Sequence, residues 1–137
     1  MDKAFLYYVD DDGDDLSIFE AAADDLGCEV ELFNRGDELL SSLGKSETIP
    51  SVVYVDLNMP GMSGYEVISK IRESDALQDV PVVVLSTASD KQSIEKSRNA
   101  GASYYVQKPT SFGKLKAAIS HTLGLDWKNL GEFVFLD

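Results

Sequence analysis

Four apolar runs of this chain end in groups able to handle a cation or a phosphoryl group. Phe5–Val9 leads into Asp10, Asp11 and Asp12, and Val52–Val55 into Asp56. Val82–Leu85 leads into Ser86 and Thr87, and Ser103–Val106 into Gln107, Lys108 and Pro109. Strands laid side by side would bring carboxylates, hydroxyls and an ammonium group to one edge. Two of those carboxylates about 4 Å apart cost roughly 4 kcal/mol at an effective dielectric of about 20, a repulsion that a divalent cation relieves. An all-oxygen donor set with no Cys or His beside it suits Mg²⁺ rather than zinc. Lys108, opposite the acids, would hold an anion that arrives at the metal. Metal, lysine and hydroxyl around one carboxylate make a phosphoryl-transfer site, where positioning and charge neutralisation supply most of the catalysis. Asp56 is the natural nucleophile, because it lies between the metal-binding acids and Lys108.

The elements that position these groups follow from periodicity. Phe5–Val9, Glu29–Phe33, Val52–Val55, Val82–Leu85 and Ser103–Val106 read as five strands. Helical spacing appears between them. Leu16, Phe19, Ala23 and Leu26 mark a helix from about Asp14 that stops at Gly27, where a left-handed residue is wanted. Leu39, Leu40 and Leu43 mark a second helix, closed by Gly44, and Val67, Ile68 and Ile71 a third from Gly64 to about Ser74. A fourth runs from about Asp90 to Ala100 before Gly101, and Phe112, Leu115, Ile119 and Leu123 mark a fifth. Strands alternating with helices predict parallel βαβ units. The third and fourth strands are apolar throughout, as strands covered on both faces are. Sheets of this kind bind ligands beyond the carboxyl ends of their strands, where the reactive residues stand here.

Composition narrows the options. The 137 residues fit one domain, and 44% hydrophobic content suffices for a core. Twelve Lys and Arg against 24 Asp and Glu give a net charge of −12, which repels nucleic-acid phosphates and excludes direct DNA or RNA binding. Phe5–Val9 is too short for a signal peptide or a membrane span. Cys28 stands alone, so no intramolecular disulfide forms, and a cytoplasmic location is expected. Neither Cys28 nor His121 is marked for chemistry. An EF-hand loop starting at Asp10 needs Gly at position 15 and Glu at position 21, where the chain has Asp15 and Ala21. A nucleophile elbow at Gly61–Gly64 fails because Tyr65 stands where Gly is required.

Together, the run Tyr8-Val9-Asp10-Asp11, the run Val55-Asp56-Leu57-Asn58-Met59-Pro60-Gly61-Met62-Ser63-Gly64, the hydroxyl of Ser86, and the run Gly101-Ala102-Ser103-Tyr104-Tyr105-Val106-Gln107-Lys108-Pro109 resemble the receiver domain of two-component response regulators. The likeness spans residues 4 to 123, with the motifs in order. It implies a flavodoxin-like, doubly wound α/β fold with a five-stranded parallel sheet in the order 2-1-3-4-5. It implies that Asp56 accepts a phosphoryl group from the phosphohistidine of a sensor kinase or phosphotransfer protein. Asp11 would bind Mg²⁺ directly and Asp10 through water, and Asn58 would offer its backbone carbonyl. Lys108 would pair with the phosphoryl oxygens through a loop with a cis bond to Pro109. Ser86 would swing to bond the phosphoryl group, and Tyr105 would turn inward, remodelling the face formed by the fourth helix, fifth strand and fifth helix. Asn58, Thr87 and Ala88 would tune the rate of hydrolysis, which resets the switch. On this reading the protein is not an enzyme beyond its own phosphorylation and dephosphorylation.

Some positions depart from the commonest pattern of that family. Tyr7 and Tyr8 are bulky for a first strand, and Ser63 stands where Asp is frequent. Asp14 and Asp15 read as acids favoured at a helix start. The alternative is a Mg²⁺-dependent phosphatase of haloacid-dehalogenase type, which Asp10-x-Asp12-Gly13 resembles, but that reading leaves Asp56 and its Met-Pro loop unexplained. A receiver-like scaffold that signals by binding alone is set aside because every group of the site is present. Residues 1–124 are expected to form the domain. The fourteen residues after Leu123 leave no room for an output module, so a separate downstream protein is expected. The tail from 125 to 137, with Trp127, Leu130 and Phe133-Val134-Phe135-Leu136, is too apolar to be left in water. It is expected to pack on the domain or across a homodimer.

Overall fold

The structure, a computed structural model, describes residues 3–45 and 47–135. Strands β1 (Phe5–Val9), β2 (Glu29–Phe33), β3 (Val52–Val55), β4 (Val82–Ser86) and β5 (Tyr104–Gln107) alternate with helices α1 (Gly13–Asp25), α2 (Gly36–Lys45), α3 (Gly64–Glu73), α4 (Lys91–Ala100) and α5 (Phe112–Leu123). The parallel order β2-β1-β3-β4-β5 is the one expected from the sequence. A two-residue strand β6 (Val134–Phe135) extends the sheet beyond β5, also in parallel. Sequence periodicity does not reveal β6, because two apolar residues show no alternation. Leu136, the end of the apolar tail, lies outside the described residues, as does the side chain of Phe135.

Alternation along each strand sorts the core into two layers. Tyr7, Val9, Val53, Val55, Val82, Val84 and Tyr105 face α2 and α3, packing with Leu39, Val67, Ile68 and Ile71. Leu6, Tyr8, Val52, Tyr54, Val83, Leu85, Tyr104 and Val106 face α1 and α5, packing with Phe19, Ala22, Ala23, Leu115, Ala118 and Ile119. The bulk of Tyr8 is accommodated because α1 presents Phe19, whose ring centroid lies 4.3 Å away. Each tyrosine hydroxyl buried in the sheet has a polar partner. Tyr54 reaches Thr122 Oγ1 at 2.7 Å, Tyr7 reaches Ser42 Oγ at 2.9 Å, and Tyr8 donates to Asp10.

Helix ends follow from local chemistry. Asp12 caps α1 by accepting from the backbone N–H groups of Asp14 and Asp15. Ser63, Asp90 and Ser111 cap α3, α4 and α5 in the same way. Gly101 ends α4 at φ 113°, a left-handed conformation that glycine adopts without strain. Gly44 does not close α2 as its type suggests. The helix continues to Lys45, since Leu39 and Leu43 are already buried and one glycine costs only about 1 kcal/mol in a helix. A short 3-10 turn, Asp75–Leu77, joins α3 to β4.

Candidate functional site

Asp10 and Asp56 end adjacent strands, and the sheet itself sets their height. The backbone N–H of Asp56 donates to Val9 O at 3.1 Å, and that of Asp10 to Phe33 O at 3.1 Å, so both acids continue the ladder by one residue. Lys108 is placed similarly, its backbone N–H donating to Ser86 O at 2.7 Å. The start of α3 presses against the acceptor strand: a Cβ on Gly64 would stand 2.2 Å from Asp56 O. Only glycine allows that approach, and the Gly64 N–H donates to Leu57 O at 3.0 Å.

Asp10, Asp11 and Asp56 each direct a carboxylate oxygen to a common point, all within 4.8 Å of one another. Asp10 and Asp56 are buried, while Asp11 is exposed at the mouth. The Lys108 ammonium bonds Asp10 Oδ2 and Asp15 Oδ2, both at 2.9 Å, and lies 3.8 Å from Asp56 Oδ1. Three converging carboxylate oxygens fit a hard divalent cation, and the acid-only donor set fits Mg²⁺. Burial pushes the carboxyl pKa of Asp56 up to about 6, reinforced by the charges of Asp10 and Asp11 and opposed by Lys108 and the N–H of Leu57. Burial alone would lower the pKa of Lys108. The hydrogen bonds to Asp10 and Asp15, with the charges of Asp56 and Asp10, more than reverse this, and the ammonium stays protonated.

Asp10, Asp11, Asp56 and Lys108 are therefore brought together as expected. Asn58 and Thr87 lie exposed in the loops after β3 and β4, and Ala88 is half-buried. Ser86 is fully buried at the end of β4, its Oγ accepting from Ala88 N–H at 3.2 Å. Tyr105 is buried and already turned inward, its hydroxyl donating to Ala88 O at 2.7 Å. Tyr105 thus meets the β4–α4 loop at Ala88, two residues beyond Ser86. The expected cis bond before Pro109 is corrected: the described residues contain no cis peptide, and Lys108–Pro109 is trans, the ground state of an X-Pro bond.

Sequence reasoning missed two residues. Asp15, assigned to the helix start, is not needed for the cap, because Asp12 performs it. Asp15 instead holds Lys108. Tyr8, noted only for its bulk, donates to the Asp10 carboxylate. A period of two was the available signal: Tyr8 and Asp10 share one face of β1, so the ring points its hydroxyl at the acid. Burial raises the Tyr8 pKa strongly, with the Asp10 charge adding to it, so the hydroxyl remains a donor. Beside Lys108, a groove of about 270 Å³ runs between α1 and α5, lined by Tyr8, Asp15, Ile18, Lys108, Phe112 and Leu115 among others.

The response regulator receiver domain model matches residues 6–120. The chain belongs to the response regulator receiver domain family. Among curated relatives, the two-component response regulator ARR17 of Arabidopsis thaliana is 31% identical over 125 residues, covering 84% of this chain and 82% of its own length. The related ARR15 is 30% identical over 117 residues, covering 79% of this chain, and the chain spans only 57% of that relative's length. Among solved structures, the BeF3-activated receiver domain of DrrB from Thermotoga maritima is 30% identical, with a TM-score of 0.73, covering 89% of this chain and 98% of that one. The chemotaxis response regulator CheY4 of Vibrio cholerae is 25% identical, with a TM-score of 0.79, covering 88% and 98%. Receiver domains are phosphorylation-dependent signalling domains of two-component systems, which accept phosphoryl groups from kinases or phosphotransfer proteins. The phosphatase alternative finds no support among these relatives, and Asp12, which it would need as a free acid, is bound in the α1 cap.

Proposed function

We propose that this protein is a phosphorylation switch in which Asp56 accepts a phosphoryl group from a phosphohistidine of a sensor kinase or phosphotransfer protein. One observation carries the reading. Asp56 stands at the end of β3 with its carboxylate among those of Asp10 and Asp11, 3.8 Å from the Lys108 ammonium. A carboxylate oxygen of Asp56 attacks phosphorus in line, the phosphorus–nitrogen bond breaks, and the leaving imidazole takes up a proton. Asp10, Asp11, Asp56 and the backbone carbonyl of Asn58 would hold Mg²⁺, which supplies neutralising charge for the carboxylates and the phosphoryl oxygens. Lys108 takes the oxygens on the other side. The Ser86 hydroxyl turns to a phosphoryl oxygen, and Thr87, Ala88 and Asn58 set how water reaches the acyl phosphate. The chain acts on no other substrate, so it is a signalling protein rather than an enzyme.

A donor protein must approach Asp56 from the carboxyl edge of the sheet. Ile18 and Phe112, both large and exposed, flank the groove beside Lys108 and offer apolar purchase there. The surface formed by α4, β5 and α5 carries the output to a separate protein, through the Ser86–Ala88–Tyr105 contacts. Residues 1–124 are assigned to the receiver unit and 125–137 to a tail, of which Leu125, Trp127, Leu130, Phe133 and Val134 pack on the domain. A second copy could take the same covering role, as a homodimer. No helix among the described residues is long and apolar enough to cross a membrane, and direct binding to nucleic acid is opposed by the net charge of −12. We place the protein in the cytoplasm, where a lone thiol such as Cys28 stays reduced. Incubation with phosphoramidate and Mg²⁺ should add one labile phosphoryl group to the intact mass. An equal adduct on Asp56→Asn would show that the acceptor lies elsewhere.

A further inference from the structure

Lys108 is divided among three carboxylates, and the acceptor receives the smallest share. Its ammonium carries three protons. It bonds Asp10 Oδ2 and Asp15 Oδ2 at 2.9 Å each, while Asp56 Oδ1 at 3.8 Å is beyond hydrogen-bond reach. The two bonded acids differ in kind. Asp10 is buried and held at fixed orientation, because its carboxylate also accepts from the Tyr8 hydroxyl and from the backbone N–H of Asp12 at 3.0 Å. Asp15 sits at the rim, its side chain 34% exposed, on the first turn of α1. The structural role its position suggests is already filled, since Asp12 Oδ1 accepts from the N–H groups of Asp14 and Asp15 at 2.8 and 3.1 Å. The Asp15 carboxylate is thus free of the cap and accepts from Lys108 instead.

We infer that Asp15 is a positioning residue that competes with the phosphoryl group on Asp56 for the Lys108 ammonium. The inference rests on Asp56 being the acceptor. In the unphosphorylated protein Asp15 holds the ammonium toward α1. A phosphoryl group on Asp56 must draw it away from Asp15 before Lys108 can neutralise its oxygens. The fixed negative charge of Asp15 also opposes the arriving anion, so both effects act in one direction. Asp15 therefore lowers the affinity of the site for a phosphoryl group.

Beryllofluoride, a phosphoryl mimic that needs no donor protein, tests this at saturating Mg²⁺. Its dissociation constant is measured by NMR titration for the wild type, Asp15→Asn and Asp15→Glu. Asp15→Asn should bind roughly three- to tenfold more tightly, the range expected when a partly exposed charged competitor is removed. Asp15→Glu, which keeps the charge, should stay within about twofold of the wild type. A parallel Mg²⁺ titration without beryllofluoride separates metal effects, because removing an acid near the cluster can only weaken the hold on a cation. Tighter beryllofluoride binding by Asp15→Asn with equal or weaker Mg²⁺ binding is the signature of a released Lys108. Unchanged or weaker beryllofluoride binding by Asp15→Asn, with normal binding by the wild type, overturns the role of Asp15 alone. Failure of all three proteins to bind overturns the acceptor reading, and the role of Asp15 with it.

Discussion

A nucleophilic carboxylate must be ionised, yet Asp56 stands where burial opposes ionisation. Burial pushes its pKa from the ordinary 3.8 to about 6, with Lys108 restraining the rise. The consequence for stability has a definite sign. Between pH 3.8 and about 6 the folded protein binds a proton at Asp56 that the unfolded chain has lost, so stability falls as pH rises through that window. Above it, ionised Asp56 costs about 1–3 kcal/mol relative to an uncharged isostere. Asp56→Asn should therefore be more stable than the wild type at pH 7 without metal, and the gap should close near pH 4. Chemical denaturation of both proteins at the two pH values measures this. A gap that widens on acidification would contradict the burial of Asp56 as the dominant cause. Mg²⁺ favours the ionised form and should narrow the gap at pH 7.

At the scale of elements, glycine 64 shows how closely helix and strand are fitted. With 2.2 Å between a built Cβ and Asp56 O, Gly64→Ala must push α3 away from β3 or move the acceptor. A loss of about 1–3 kcal/mol in unfolding free energy is expected, together with slower uptake from phosphoramidate. Retention of full stability would mean that the loop yields easily. The elements themselves were legible in the sequence because their patterns are long and consistent. The all-apolar β3 and β4 could only be covered on both faces, and Gly101 marked the end of α4. The acids and Lys108 were legible because strand ends share one edge once the strands are parallel. The helix continuing through Gly44, the strand β6 and the part played by Asp15 were not. Each depends on tertiary partners: Leu39 and Leu43 already buried, an open edge of β5, and a lysine 93 positions away in the chain. The trans bond before Pro109 follows the intrinsic preference of the X-Pro peptide and not the expectation that the family likeness carries.

The molecule as a whole is shaped by how its sheet ends. On the α1–α5 side of the sheet, Leu125, Trp127 and Leu130 pack against the core, with Trp127 6.4 Å from the Tyr104 ring. On the other side Phe133 and Val134 join the α2–α3 layer, Phe133 lying 6.5 Å from the Tyr105 ring and under the Arg98 guanidinium at 4.6 Å. The tail thus wraps the edge of β5 and meets both of its faces. Removing residues after Gly124 should cost about 2–5 kcal/mol from lost apolar burial and raise self-association, measured by thermal melts and light scattering. Unchanged stability and mass would show that the tail contributes neither. The opposite rim is protected by charge: β2 carries Glu29 and Glu31, both exposed. At β5 the backbone N–H of Tyr105 is already spent on Phe133 O at 2.8 Å. Any foreign chain seeking to pair with β5 as a new strand must first unzip β6, so recognition by strand addition begins with a peeling step.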